Sequence, residues 1–475
     1  MADDLVYATI AELNAKLKKR EVSSVELTKT YLDRLESLGP QHNALALSFR
    51  KEALKKAKYV DADIKIERFR GPLQGIPFGA KDLLAMEGHP TTWGAKPYAT
   101  QVFKETASVL KKLDKTGAIL IGKLAMVELA GGGGYRYPSA SLTGPGLNPW
   151  DKTRWTGGSS SGPGAAVAAG MVGFALGSET SGSILTPSAY CGVTGLRPTY
   201  GLVSRAGAMA LSWTLDTIGP MCRSAQDCGM VLDTIAGGDS ADPGSAGKSF
   251  YYAPQYQRDA KEIRIGFAPA DFDTLVDAAT RAAFNSALAV VKSLGTKFGE
   301  TALPDFPYQA LTGTIIACEA ASIFEELITS GKVDELADQR QAQGLKAGLE
   351  IPAKDYLKAM RIRTLVQAAF QKLFADVDIL VAPARYTVAT KVTDPLDRNT
   401  PAPGRPKGMS GLIAAGNLAG LPALSIPCGL SDGLPIALQL VGRPWSENLL
   451  LKVGAEFQSR TDWHRRRPPI SSRKS

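Results

Sequence analysis

Apolar positions along this chain recur with two periods. Ser23 to Glu26 forms a capping box, and Val25, Leu27, Tyr31, Leu32 and Leu35 follow at helical spacing, which predicts an amphipathic helix. A second such helix is predicted over Asp277 to Leu294. Ala118 to Ile121, Ile263 to Phe267 and Val377 to Ala382 are short apolar runs bounded by turn residues, the pattern of buried strands. Strands alternating with helices predict an α/β chain with a large, mostly parallel sheet covered on both faces. The uncharged stretch from Trp155 to Ser178 could span a bilayer by length. Its first half is nearly all Gly, Ser and Ala, so it reads as a core helix and strand.

At 475 residues and 44% hydrophobic, the chain can bury a large core without disulfides or metals. Its net charge is +9, and the tail 459–475 carries six basic residues against Asp462 alone. Most of the excess charge therefore sits on a solvated terminus, and no nucleic-acid partner is expected. Five cysteines without a CxxC pair read as reduced, mostly buried thiols of a cytoplasmic protein. The first residues, MADDLVYATIAEL, carry acid where a signal peptide needs base, and no membrane association is expected. Only three histidines are present, His42, His89 and His464, which argues against a His-rich metal site and a Ser-His-Asp triad.

Residues 131–220 differ from the flanks. They contain Gly131 to Gly134, GGSSSGPG at 157–164 and SETSGS at 178–183. Glycine at this density costs backbone entropy, which predicts either tight turns or loops around an active site. Several motif matches fail on context. GAILIGKL at 117–124 has a strand where a phosphate-binding loop is needed. Gly158 to Gly162 fits the nucleophile-elbow pattern, but only His464 stands downstream. The SVLK and KTG motifs of penicillin-binding enzymes, at 108–111 and 115–117, fall in one predicted helix and its end.

Three polar residues lie where polarity is costly: Lys81 at the end of GIPFGAKD, Ser159 after two glycines, and Ser183 at the end of GSETSGS. Lysine beside Asp82 is ordinarily an ion pair, and serine beside glycine is ordinarily a turn former. Together they offer a nucleophile, a proton relay and a base without histidine. The blocks GIPFGAKDLL, LNPWDKTRWTGGSSSGPGAAVAAG and GSETSGSILTPSAYCGVTGLRPTYGLVSRAG resemble the amidase signature hydrolases, as does the C-terminal NLAGLPALSIPCGLSDGLPIALQLVGRPW. The likeness runs from about residue 8 to 460. The serine pair has the family spacing, Ser159 and Ser183 standing 24 positions apart.

The resemblance implies an α/β/α sandwich, with Ser183 as nucleophile, Ser159 as bridging serine after a cis peptide, and Lys81 as base. It further implies an oxyanion hole from the amides of Thr180, Ser181, Gly182 and Ser183, and support of Lys81 by Ser160. Gly132 and Gly133 are expected to leave open space for substrate. No metal or organic cofactor is expected. The organisation implied is one domain over 1–475, with a signature core at about 70–225, a divergent region at about 240–375 and the basic tail. Residues 386–410, rich in Pro and Gly, are expected to be a surface loop or lid.

Departures from the family shape the substrate expectation. Glu179 stands where Asp is frequent, and Leu185 where an arginine often follows the nucleophile by two residues. An apolar or aryl amide is therefore expected as the small-molecule substrate, with esters and carbamates open to the same route. The chain is expected to act free-standing, with a homodimer open. The alternatives are the amidase subunit of a glutamine-dependent tRNA amidotransferase and an inactive binding scaffold.

Overall fold

The computed structural model describes residues 2–396 and 408–470. Eleven strands form one sheet: β1 (Leu45–Ser48), β2 (Pro77–Lys81), β3 (Ile119–Leu124), β4 (Phe174–Glu179), β5 (Thr194–Arg197), β6 (Thr217–Cys222), β7 (Arg264–Phe267), β8 (Lys297–Glu300), β9 (Ile379–Pro383), β10 (Ala423–Ser431) and β11 (Leu434–Gly442). Their order across the sheet is β1-β3-β2-β4-β6-β5-β10-β11-β9-β7-β8.

The sheet is mixed, but the expectation that it is mostly parallel needs correction. Parallel pairing is confined to β3-β2-β4 on one side and β9-β7-β8 on the other. The centre and the β1 edge pair antiparallel. The three apolar runs singled out in the sequence are all flank strands, where crossover helices enforce parallel pairing. At the centre, β10 and β11 are joined by Asp432-Gly433, both with positive φ (50° and 75°). That two-residue turn holds its strands as an antiparallel hairpin.

Helices cover both faces, as the alternation of side chains along β10 makes plain. Ser425 pairs with Gly195, whose missing Cβ leaves room for Ser188 and Ile184 of the helix-bearing segment that includes Leu185–Cys191. Leu424 and Ile426 point the other way, onto Gly454 of the helix Glu447–Ser459. The predicted helices form as Ser24–Leu38, capped by the Ser23–Glu26 box, and Ala278–Ser293, capped by Asp277. The stretch from Trp155 to Ser178 contains the buried helix Ser161–Ala168 and most of β4. No helix among the described residues is long and apolar enough to cross a membrane.

Smaller expectations resolve in the same way. Cys191, Cys222, Cys228 and Cys428 are buried free thiols, and Cys318 is half-buried. In the described part of the tail the arginines are exposed, Arg465 pairing with Glu12 and Arg466 with Asp462, while His464 is buried and Trp463 and Ile470 pack against the core. Residues 397–407 of the expected lid and 471–475 of the tail lie outside the described residues.

Candidate active site

Lys81 is the last residue of β2, which lies between β3 and β4, and its side chain is fully buried. Its Nζ donates to Ser159 Oγ at 2.7 Å and to Ser178 Oγ at 2.9 Å. Burial is the largest influence on this amine and lowers its pKa to about 7, against the opposing pull of the Asp216 and Glu179 carboxylates. A lysine in this state is substantially neutral near pH 7 and can accept a proton.

The neighbouring carboxylate does not neutralise it. Asp82 follows Lys81 in the chain and turns to different partners, as successive residues of an extended segment do. It forms a buried ion pair with Lys123 at 2.9 Å and accepts the Thr92 amide at 3.1 Å. The ordinary ion-pair reading of a lysine beside an acid therefore does not hold for Lys81.

Ser159 sits on a segment that packs along the helix Leu185–Cys191. Gly157 has φ +80° and its Cβ would stand 3.0 Å from the Pro187 backbone; a Cβ on Gly158 would meet Val127 at 2.7 Å. The Gly158–Ser159 peptide is cis. The Ser160 amide donates to the Ser183 carbonyl at 3.3 Å, joining the two serine-bearing loops. The Ser160 side chain, expected to support Lys81, instead bonds the β4 backbone: it donates to the Ser178 carbonyl at 3.2 Å and accepts the Ser178 amide at 3.3 Å. Lys81 takes its second hydroxyl from Ser178, because Ser178 is on the strand beside β2 and Ser160 is already committed to that strand's edge.

Ser183 is buried at the end of the bend that leaves β4. The conformation of that bend is set by Glu179. One carboxylate oxygen accepts the amides of Ile184 and Leu185, at 2.8 and 2.9 Å. The other binds Arg197 at 2.8 Å and Asn417 Nδ2 at 3.0 Å. These partners hold the Glu179 carboxyl below its ordinary value despite full burial. The amides of Ser181, Gly182 and Ser183 make no hydrogen bond among the described residues. They are left as donors in a loop whose Gly182 has φ +91°, a conformation glycine adopts at little cost. Thr180 Oγ1 donates to Asp216 at 2.6 Å.

A cavity of about 180 Å³ opens beside these groups, lined by Ser178, Thr180 and Asp216 and by the apolar Leu83, Met209, Leu211, Ile218 and Trp213. Burial raises the Asp216 carboxyl to about 6 even though it accepts Thr180 and the Leu211 and Ser212 amides. The tryptophans Trp93 and Trp155 are packed against tyrosines, Trp93 on Tyr98 and Trp155 on Tyr135. Leu185 is fully buried in a core cluster with Leu215, Leu412 and Leu418.

The expectation of open space at Gly132 and Gly133 is corrected by packing. A Cβ on Gly132 would stand 2.8 Å from Leu211, and one on Gly133, at φ +82°, 2.4 Å from the Gln341 carbonyl. Gly133 admits the helix Gln339–Gly348 against the chain, and only Gly134 of the run faces empty space. Three residues that shape the site, Ser178, Glu179 and Asp216, have no catalytic role that the sequence alone assigns. The signal for the first two lies in the same GSETSGS string; Asp216 has none until the strands are placed.

The amidase family pattern matches residues 26–451, and the chain belongs to that family, the amidase signature enzymes acting on carbon–nitrogen bonds. It is 36% identical to the A-subunit of the glutamyl-tRNA(Gln) amidotransferase of Moorella thermoacetica, covering 98% of this chain and 99% of that one. Among solved structures it is similar to the peptide amidase of Stenotrophomonas maltophilia, with 30% identity, a TM-score of 0.83 and 98% of both chains covered. It is also similar to the A-subunit of the glutamyl-tRNA(Gln) amidotransferase of Thermotoga maritima, with 26% identity, a TM-score of 0.77 and 99% of both chains covered.

Proposed function

We propose that this chain hydrolyses amides through an acyl-enzyme on Ser183. The observation that carries the reading is the buried Lys81 Nζ, 2.7 Å from Ser159 Oγ with its pKa lowered to about 7. In the proposed route Ser183 Oγ attacks the amide carbonyl as its proton passes to Ser159, whose own proton passes to neutral Lys81. The amides of Ser181, Gly182 and Ser183 donate to the oxyanion, each such donor being worth roughly 3 kcal/mol in the transition state. Collapse breaks the C–N bond, and the proton held by Lys81 returns through Ser159 to the departing amine. Water then attacks the Ser183 ester, loses its proton along the same path and releases the carboxylic acid.

The substrate class proposed is an apolar or aryl amide, with esters and carbamates cleaved by the same steps. The cavity of Leu83, Met209, Leu211, Ile218 and Trp213 beside Thr180 supports it. The test is hydrolysis of a panel of anilides by the purified chain. Turnover lost in Ser183→Ala is expected, and turnover surviving that change would overturn the mechanism.

A second reading has a specific observation in its favour. Curated relatives at 33–37% identity over nearly the whole chain are named as the A-subunit of glutamyl-tRNA(Gln) amidotransferase. They favour a glutaminase-type component of a multi-subunit complex more strongly than they favour a free-standing amidase. Glutamine hydrolysis appearing only with a copurifying partner would select this reading. Anilide hydrolysis by the chain alone, without glutamine hydrolysis, would select the first.

A further inference from the structure

Several buried cations among the described residues have carboxylate partners. Lys123 has Asp82, Arg197 has Glu179, and Arg205 has Asp242. Arg223 and Arg363 instead bond backbone carbonyls, and Arg385 has neither kind of partner among the described residues. It lies two residues after β9, is half-buried, and has no carboxylate within ion-pair distance among the described residues. Its hydrogen-bond partner is a phenol, Tyr190 Oη, at 3.4 Å, and its guanidinium lies 5.8 Å from the centre of the same ring. Tyr135 and Tyr386 are within electrostatic reach. A guanidinium carries five N–H donors, and one long bond leaves most of them for another acceptor.

Asp271 and Asp338, which act electrostatically on Tyr386 and Tyr135, are otherwise engaged. Asp271 accepts Tyr386 Oη at 2.9 Å and the Met409 amide at 2.8 Å. Asp338 accepts the amides of Arg136 and Tyr137. Meanwhile the phenols tie Arg385 to the candidate active site. Tyr190 belongs to the helix Leu185–Cys191 that begins two residues after Ser183. Tyr135 Oη lies 3.1 Å from where a Gly158 Cβ would stand, beside Ser159. Trp155 packs edge-on to Tyr135 at 6.2 Å.

We propose that Arg385 is a specificity-determining residue that pairs with a carboxylate on the amide substrate, with Tyr135, Tyr190 and Trp155 flanking that carboxylate's aromatic or apolar carrier. The assignment rests on the amide-hydrolase reading and narrows its aryl-amide class to members that carry a carboxylate, in place of wholly apolar amides. An arginine in an aromatic surround is suited to this task, since its planar fork meets a carboxylate with two parallel hydrogen bonds while its face stacks on rings. The bend after Ser183 offers no cation for the purpose, since Leu185 stands there in the core. The positive charge for an anionic substrate comes instead from the chain that leaves β9.

The experiment measures equilibrium binding by calorimetry to the Ser183→Ala protein, which keeps substrates intact. The probes are matched pairs: benzoate against benzamide, and 4-acetamidobenzoate against 4-acetamidotoluene. The carboxylate member of at least one pair is expected to bind roughly tenfold or more tightly. That preference should vanish with Arg385→Met added and persist in part with Arg385→Lys, while the neutral members bind alike in all three proteins. No carboxylate preference in either pair, or a preference untouched by Arg385→Met in a protein whose far-UV spectrum and Tm are unchanged, would overturn the assignment. Failure of the wild-type chain to hydrolyse any amide would overturn the amide-hydrolase reading instead, and leaves the binding result standing on its own.

Discussion

Lys81 Nζ and Ser159 Oγ are 2.7 Å apart in a fully buried setting, and no carboxylate among the described residues forms an ion pair with that amine. The carboxylate adjacent in the chain, Asp82, is occupied by Lys123. Charge on Lys81 is therefore opposed by burial and only partly restored by the more distant Asp216 and Glu179.

The pH dependence of turnover follows from that balance. Lys81 works as a base only when neutral, so activity should rise with pH through about 7 and level off above it. Lys81→Met should lower kcat/KM by roughly 10²–10⁴-fold and flatten the rise. A pH–rate profile checks both, and an unchanged rising limb in the variant would remove Lys81 from the base role.

Ser178 shares Lys81 with Ser159. Removing its hydroxyl takes away an acceptor that stabilises the charged amine, so the neutral form is favoured further. Ser178→Ala should move the rising limb to lower pH and reduce kcat about tenfold through lost positioning of Nζ. Ser160→Ala, whose hydroxyl bonds only backbone, should leave the position of the limb unchanged.

Glu179 joins the bend before Ser183 to Arg197 and Asn417. Glu179→Gln leaves Arg197 buried without a counter-charge, a change that costs about 3–5 kcal/mol when one partner of such a pair is removed. Urea unfolding of the variant should show that loss. A double change, Glu179→Gln with Arg197→Met, should recover part of it.

The glycine run 131–134 gives a contrast in stability. Both Gly133 and Gly134 have positive φ, but only Gly133 would drive a Cβ into the helix Gln339–Gly348. Gly134→Ala should cost about 1–2 kcal/mol from its left-handed backbone alone, and Gly133→Ala clearly more. Equal losses in denaturant unfolding would contradict the packing account.

The parts of this molecule legible in the sequence are those governed by local rules. The Ser23–Glu26 cap, the Asp277 cap and the buried flank strands follow from periodicity and side-chain hydrogen bonding near in sequence. The antiparallel centre does not, because β5 pairs with β10, more than two hundred residues along the chain, and the apolar runs of β5 and β6 are interrupted by Gly and Pro. The same limit applies at the site. Lys81 and Ser159 stand out as polar residues in apolar or glycine-rich strings. Ser178 looks like a turn serine, and its contact with Lys81 depends on β4 lying beside β2. Gly132 and Gly133 read as open space for substrate in the sequence, and what meets Gly133 is a helix some two hundred residues downstream.

The central claim is that Ser183 is an activated nucleophile, and it can be tested without choosing a substrate. The protein is incubated with a fluorophosphonate, its intact mass is recorded, and the adduct is mapped by peptide sequencing. One adduct per chain on Ser183 is predicted, with labelling that quickens as pH rises through about 7 and is lost in Ser183→Ala. An adduct on a different residue, or labelling that persists in Ser183→Ala, would contradict the account.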